Sequence, residues 1–506
     1  ERTFRRKKDA EELSCGFEAD QKNSADYAYA FGVNEFVLCA SAYQPWIDKY
    51  PGSTAGGKHY CLNRNNTYWE YSRPFWDYQA RCSALMRKGV PVVDICVYLG
   101  QNPPVKLVTY RLPEIPEGYD FDVCTAEALV GRTMAVDGRL TLPTGISYSL
   151  LVIQRNNDMP LHVLRHIAGL VKGGVVVCGP RPDGSDSLND KAESEEYRAL
   201  VDELWGELTT VSQIRKVGKG KIYENIPLSE VLKYENIRPD IAIKSGNTAK
   251  DKVYFVHRRL SDADVYFLNN HSDRAFHDTI RLRTDARQAE YWDAVTGQRY
   301  MIPVKASGEK GMLLNLTLAP RESGFIVTSN NQATGLLPRI ADVQETITPI
   351  EGSWNVYFDP RWGGPGKVVF DELIDWTVHA DTGIRYYSGT AVYHKELNLA
   401  MPAQNERLLL RFPRLGSLAR VWVNGKEVVT VWCSPWEADI TSYVHEGKNN
   451  LKIEVVNSLM NRMIGDASLP ESERFTYAYP QIVTPTDKLV PSGIMEQLNL
   501  VYRQYQ

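Results

Sequence analysis

The sequence predicts a multidomain chain in which α/β segments give way to all-β ones, and three observations carry that expectation. A chain of 506 residues is too long for one ordinary core, so three or four domains are expected. Up to about residue 215, buried apolar runs alternate with amphipathic stretches of helical period, the pattern of a parallel sheet with covering helices. Beyond that point, short runs of alternating polar and apolar residues recur at regular intervals, as in β-sandwiches.

Residues 13–18 read as a short strand, 20–31 as a helix with apolar and aromatic positions on one side, and 33–42 as a second strand. A polar loop follows. Residues 69–88 then read as an amphipathic helix, and 90–100 as a fully buried strand ended by Gly, Asn and two prolines. This order implies a parallel sheet, whose chemistry gathers at the C-terminal strand ends, where Glu18, Tyr43 with Trp46, and loop 59–70 would lie. Three strands cannot close an eight-stranded barrel, so a barrel here would need earlier strands from another piece of polypeptide.

Loop 59–70 is the richest in chemistry. Tyr60, Tyr68 and Trp69 offer flat apolar faces to a sugar ring, while His59, Arg64, Asn65 and Asn66 supply donors and acceptors for hydroxyls. Glu70 adds a carboxylate. A plainer role is helix capping, with Asn66 or Thr67 at the N-cap and Glu70 in the first turn.

Residues 118–215 read as a second α/β unit, with strands 145–154 and 173–180 around helix 159–174 and a later helix 192–206. The loop GPRPDGSDS lacks the ending of a phosphate loop, and His162 with His166 lacks a third ligand, so neither is assigned chemistry. KVGKGK reads as a basic linker to a sandwich spanning 216–330. A second linker, 331–350, leads to another all-β region, 351–506, in which V-N-G-K marks a tight hairpin.

With 58 basic and 62 acidic residues, the net charge of −4 gives no electrostatic reason to expect nucleic acid or an anionic membrane. Eight cysteines without metal-finger spacing argue against a disulfide scaffold and leave the redox compartment open. No apolar run has the length of a membrane span or the character of a signal peptide. The absence of an initiator Met suggests a processed product or part of something longer.

The segment VWVNGKEVVTVWCSPWEADITSYVHEGKNNLKIEVVNSLMNRMIGD resembles the jelly-roll, galactose-binding-like sugar-binding domain of family 2 glycoside hydrolases. Together with GSWNVYFDPRWGGP, DWTVHADTGIRYYSGTAVYHK and GVNEFVLCASAYQPW…HYCLNRNNTYWEYSRPFWDYQAR, the chain from about residue 22 onward resembles the C-terminal half of family 106 glycoside hydrolases, the α-L-rhamnosidases. The resemblance implies that residues 1–117 are the C-terminal part of a (β/α)8 catalytic barrel. It also implies cleavage of terminal α-L-rhamnose with inversion, calcium dependence, and a bacterial periplasmic or extracellular setting. Inversion needs a carboxylic acid and a carboxylate base about 6.5–9.5 Å apart. Glu18, ending a strand before a helix, is the expected base, and Glu70 the alternative. Trp46, His59, Tyr60, Arg64, Asn65 and Trp69 are expected to bind the rhamnose-containing glycan. A second chain is expected to carry the rest of the barrel; the alternative is a noncatalytic carbohydrate-binding protein or a scaffold fragment whose barrel another chain completes.

Overall fold

The computed structural model describes residues 19–37, 42–54, 63–100, 112–154, 159–182, 184, 194–208, 210–246, 252–308, 311–331, 335–339 and 344–504. Within them lie an α/β unit and two β-sandwiches, the sandwiches tied to each other by the helices Ala19–Ala30 and Arg73–Met86.

The α/β unit has a six-stranded sheet in which Ile95–Tyr98 pairs in parallel with Phe121–Cys124 on one side and Leu150–Ile153 on the other. This corrects the expected barrel placement of 90–100, whose partners lie after it in sequence, across the expected boundary at 117/118. All four residues of Ile95–Tyr98 are buried, as expected for a strand covered on both faces. Helix Leu161–Lys172 covers one face and Leu228–Tyr234 the other. The expected linker KVGKGK is also corrected: Gln213–Val217 and Gly220–Glu224 form an antiparallel hairpin, and the second strand joins Val176–Cys178. Two glycines among lysines, at the turn of this hairpin, look like a flexible tether in sequence.

The first sandwich packs a seven-stranded sheet on a four-stranded one around Tyr266, Leu268, Ile280, Tyr291, Leu314 and Ile326. Strand Ala263–Asn270 is buried on both faces, because Val265 and Phe267 point the other way, into a cluster with Tyr29, Phe75 and Tyr78 of the two helices. The helices expected to flank a parallel sheet therefore cover the outside of an antiparallel one. Residues 33–37 form no strand, and Val37 is 96% exposed. Residues 13–18 lie outside the described residues.

The second sandwich pairs six- and four-stranded sheets around Trp354, Phe358, Trp376, Tyr387 and Tyr393. The V-N-G-K turn forms as expected, with Asn424 and Gly425 both at positive φ. Gly493 is required by packing, since a Cβ there would sit 2.3 Å from the Trp376 indole nitrogen. Both ends of the expected linker 331–350 are structured: Leu337–Pro338 joins the first sandwich beside Arg299–Ile302, and Glu345–Pro349 joins the second beside Asn499–Gln504. The second sandwich docks on the helices. Trp432 lies 5.8 Å from the rings of both Phe75 and Tyr78, and Leu418 and Val456 enter the same cluster.

Candidate functional site

Of the residues singled out from sequence, Glu18, His59 and Tyr60 lie outside the described residues, whereas Trp46, Arg64, Asn65, Trp69 and Glu70 are described. Asn65 is buried, and its side-chain amide donates to the carbonyls of Lys49 and Pro51 at 3.1 and 3.3 Å and to Gln44 Oε1 at 3.4 Å. Its amide hydrogens hold the 44–53 turn in shape and point away from solvent. Gln44 does similar work: its side chain donates to Ser53 O at 2.7 Å and accepts from Ser53 N at 2.8 Å, as a neighbouring strand would. Arg64 is exposed and reaches Gln44 O at 3.5 Å.

The turn presents Trp46 half-buried, edge-on to Tyr477 with ring centres 5.1 Å apart. The Lys49 ammonium lies 4.1 Å over Tyr477 and 5.5 Å over Trp46. Tyr477 is brought there by backbone pairing: Pro51–Ser53 runs parallel to Tyr477–Tyr479, with Tyr477 N donating to Tyr50 O at 2.7 Å and Thr54 N to Tyr479 O at 2.9 Å. Behind this pair, the buried Asp466 carboxylate accepts from the backbone N and Oγ1 of Thr476, both at 2.7 Å, and from Arg462 Nε at 2.9 Å. Tyr50 in turn meets Trp362 edge-on at 5.5 Å. The result is an aromatic wall of Trp46, Tyr50, Trp362 and Tyr477, half of it supplied by the second sandwich. Sequence reasoning missed Tyr50, Trp362 and Tyr477 as site residues; the aromatic run TYAYP was a signal, but nothing local linked it to Trp46.

Trp69 and Glu70 open a short 3-10 turn, Trp69–Tyr71, ahead of the helix Arg73–Met86. The expected capping by Asn66 or Thr67 does not occur, since neither helix start has a side-chain cap; the Asn66 amide instead donates to Tyr68 OH at 2.9 Å and Thr67 Oγ1 to Asn457 O at 2.5 Å. Arg420 of the second sandwich donates to the Glu70 carbonyl at 2.9 Å, and the Glu70 side chain is exposed. Arg64 and Asn65 thus hold the turn that bears Trp46. Trp69 and Glu70 occupy the next, at the sandwich contact.

Aromatic faces are suited to a polyhydroxylated ligand, and the polar groups beside this wall that are not used up within the loop, Lys49 and Arg64, are cationic. A general acid needs a carboxyl whose pKa is raised. The buried carboxyls that stand out do the opposite. Burial alone would raise Asp264, but hydrogen bonds and charge from His257, with Thr284 and Arg259, hold it at about 2. Burial likewise opposes ionisation of Glu322, yet the Arg339 guanidinium keeps its pKa below the ordinary value. These are structural acids. His162 and His166, to which the sequence assigned no chemistry, lie apart in environment: His162 is exposed and His166 Nε2 meets Thr133 Oγ1 at 3.0 Å. Among the described residues, no group of three or more His, Cys, Asp or Glu side chains is placed to hold a metal ion, so the calcium implied by resemblance finds no such set here.

Residues 16–305 match the family model for glycoside hydrolase family 106, alpha-L-rhamnosidase, and residues 341–502 match that for the glycosyl hydrolases family 2 sugar binding domain. The solved rhamnosidase from Novosphingobium sp. PP1Y superposes with a TM-score of 0.86 at 29% identity, over 96% of this chain and 46% of its own. A putative beta-glucuronidase from Formosa agariphila is 23% identical over 89% of this chain and 57% of its own length. The chain spans about half the length of these relatives.

Proposed function

Because the chain belongs to glycoside hydrolase family 106, the alpha-L-rhamnosidases, we propose that it forms part of an enzyme that releases terminal α-L-rhamnose from glycans with inversion. The superposition on a rhamnosidase over 96% of the chain carries this reading. The aromatic wall beside loop 63–72 binds the sugar, Glu18 serves as base, and the partnering acid comes from polypeptide that completes a (β/α)8 barrel. Val37, Tyr43 and Ile47, each more than four-fifths exposed, support an apolar contact with that polypeptide, on a second chain or a preceding segment. Since Ile95–Tyr98 belongs to the α/β sheet, the contribution of this chain to the barrel is confined to residues before it. The second sandwich is read as a jelly roll. Calcium dependence rests on the family resemblance, with carboxylate ligands drawn at least in part from outside the described residues. The protein is placed in the periplasm or outside the cell, where polymeric glycans are met; no helix among the described residues is long and apolar enough to cross a membrane.

The test is proton NMR of an aryl α-L-rhamnoside digest made with the protein and whatever polypeptide co-purifies with it. β-L-Rhamnose appearing first supports inversion; α-L-rhamnose appearing first refutes it. Glycan binding without turnover would favour a noncatalytic carbohydrate-binding protein, a reading to which the solvent-exposed Glu70 already lends some weight. Trp69→Ala and Trp46→Ala are each expected to weaken rhamnose binding by about 1–3 kcal/mol, the loss of one aromatic anchor. Calorimetry on the folded variants checks this; unchanged affinity in Trp46→Ala would remove the wall from the site, and unchanged affinity in Trp69→Ala would remove the turn that bears Trp69.

A further inference from the structure

We propose that the turn bearing Trp46 selects a glycan that carries negative charge, as a uronate or a sulfate ester, and that Lys49 and Arg64 hold the anion. That the anion belongs to a rhamnose-containing glycan rests on the function proposed above; the selection of negative charge rests on the turn itself. Asn65 brings the two cations to one junction. Its amide donates to the Lys49 carbonyl at 3.1 Å and to Gln44 Oε1 at 3.4 Å, while Arg64, its neighbour in sequence, reaches the Gln44 carbonyl at 3.5 Å. The backbone that carries Lys49 is therefore fixed by the loop that carries Arg64.

The Lys49 ammonium is held in place without being neutralised. It lies 4.1 Å over Tyr477 and 5.5 Å over Trp46, and the side chain is half-buried. Ring faces attract a cation, but their quadrupoles supply less than a full counter-charge. Among the described residues no carboxylate lies within ion-pair distance of Lys49 or Arg64, Asp48 of the same turn included. The cations behind and beside the rings differ. Arg462 pairs with the buried Asp466 at 2.9 Å, and Arg361, next to Trp362, pairs with Asp359 at 2.6 Å. These cations of the second sandwich carry their own counter-charges, and those of the turn do not.

An anionic oxygen supplies what the turn lacks. Against the rings, the half-buried ammonium has a less polar surround than a fully hydrated lysine, which strengthens its attraction for an anion. Arg64 is exposed and spends one guanidinium nitrogen on Gln44, so its planar fork keeps donors for a carboxylate or a sulfate. The rings act here as the seat of the ammonium and not as an open platform, so the lysine need not leave them for the ligand to bind. A neutral glycan would leave both charges unanswered. The net charge of −4 does not oppose an anion here, because exposed charges more than about 10 Å away are largely screened at 0.1 M salt.

The experiment is calorimetric titration of the protein, with whatever polypeptide co-purifies, against three disaccharides of one skeleton: an α-L-rhamnosyl uronate, its counterpart with the carboxylate reduced to an alcohol, and the sulfate ester of that alcohol. At least one anionic ligand should bind about tenfold more tightly than the neutral one, the size of one hydrogen bond to a charged group, and which one it is separates uronate from sulfate. Lys49→Gln combined with Arg64→Gln should abolish that preference, and added salt should narrow it. Arg64 is exposed, so Arg64→Gln alone, expected to narrow the preference, keeps the test valid should the double variant misfold. Three outcomes overturn the proposal: equal affinity of the wild type for all three ligands, binding of none, or an undiminished preference in the variants. Rhamnose release measured in parallel separates the two readings. A preference for the anion without release from any ligand leaves this inference standing and the enzyme reading fallen, and release with equal affinity for all three does the reverse.

Discussion

Glu18→Gln is expected to lower turnover of an aryl α-L-rhamnoside by about 10²–10⁴-fold, the usual worth of general acid–base catalysis, while leaving sugar affinity nearly unchanged. The amide keeps the shape of the carboxylate and cannot take a proton from water. In sequence Glu18 immediately precedes the helix Ala19–Ala30. Glu70→Gln should have the milder effect, since its side chain is exposed and its carbonyl, through Arg420, is the part that the fold engages. Steady-state kinetics with calorimetry on both variants decides the matter. A larger loss in Glu70→Gln would transfer the role to that residue, and two fully active variants would place both catalytic acids outside this chain.

How much of this was legible depended on whether a signal was local. Strand alternation is local, so Val253–Arg259, Ala263–Asn270, Phe276–Leu282 and Met312–Leu318 stand where their patterns put them. Pairing is not local. The run at 90–100 announces a buried strand, but nothing in it says that Leu150–Ile153 will lie beside it, and the parallel-sheet reading attached it to the wrong neighbours. The same limit applies at the site. Loop 59–70 was recognisable as a place where sugar-binding residue types concentrate, and Arg64 and Asn65 bond to the turn that bears Trp46. Whether an Asn in such a loop faces a ligand or staples the loop depends on which carbonyls fold back on it. For Asn65 those belong to Lys49 and Pro51. Tyr477 reaches Trp46 only because the second sandwich docks, a tertiary event with no trace near residue 46.

Asp26→Ala is expected to destabilise the protein by about 3–5 kcal/mol, because it leaves a buried ammonium without its counter-charge. In sequence, Lys22 and Asp26 look like a surface i, i+4 pair, ordinarily worth a few tenths of a kcal/mol. In the structure they are 1% and 0% exposed, with Lys22 Nζ 2.6 Å from Asp26 Oδ2 and 2.8 Å from Ser323 Oγ. Tyr78 OH donates to Asp26, and the Cys82 and Cys433 thiols lie buried alongside. The pair therefore sits where both helices, the first sandwich and the second sandwich meet. Burial works against the Lys22 charge, but Asp26 outweighs it and raises the pKa above the ordinary value. Without Asp26, burial acts alone, the folded-state pKa falls below that of the unfolded chain, and the deficit should shrink as pH rises toward that of a free lysine, about 10.4. Lys22→Met combined with Asp26→Leu removes both charges, and should leave stability near the wild-type level or above it. Denaturation midpoints of the wild type, Asp26→Ala and the double variant, compared at pH 7 and pH 9.5, test both claims. A cost below about 1 kcal/mol for Asp26→Ala, the level of a surface pair, would mean that apolar packing around Trp432, Phe75 and Tyr78 holds the joint without help from the ion pair.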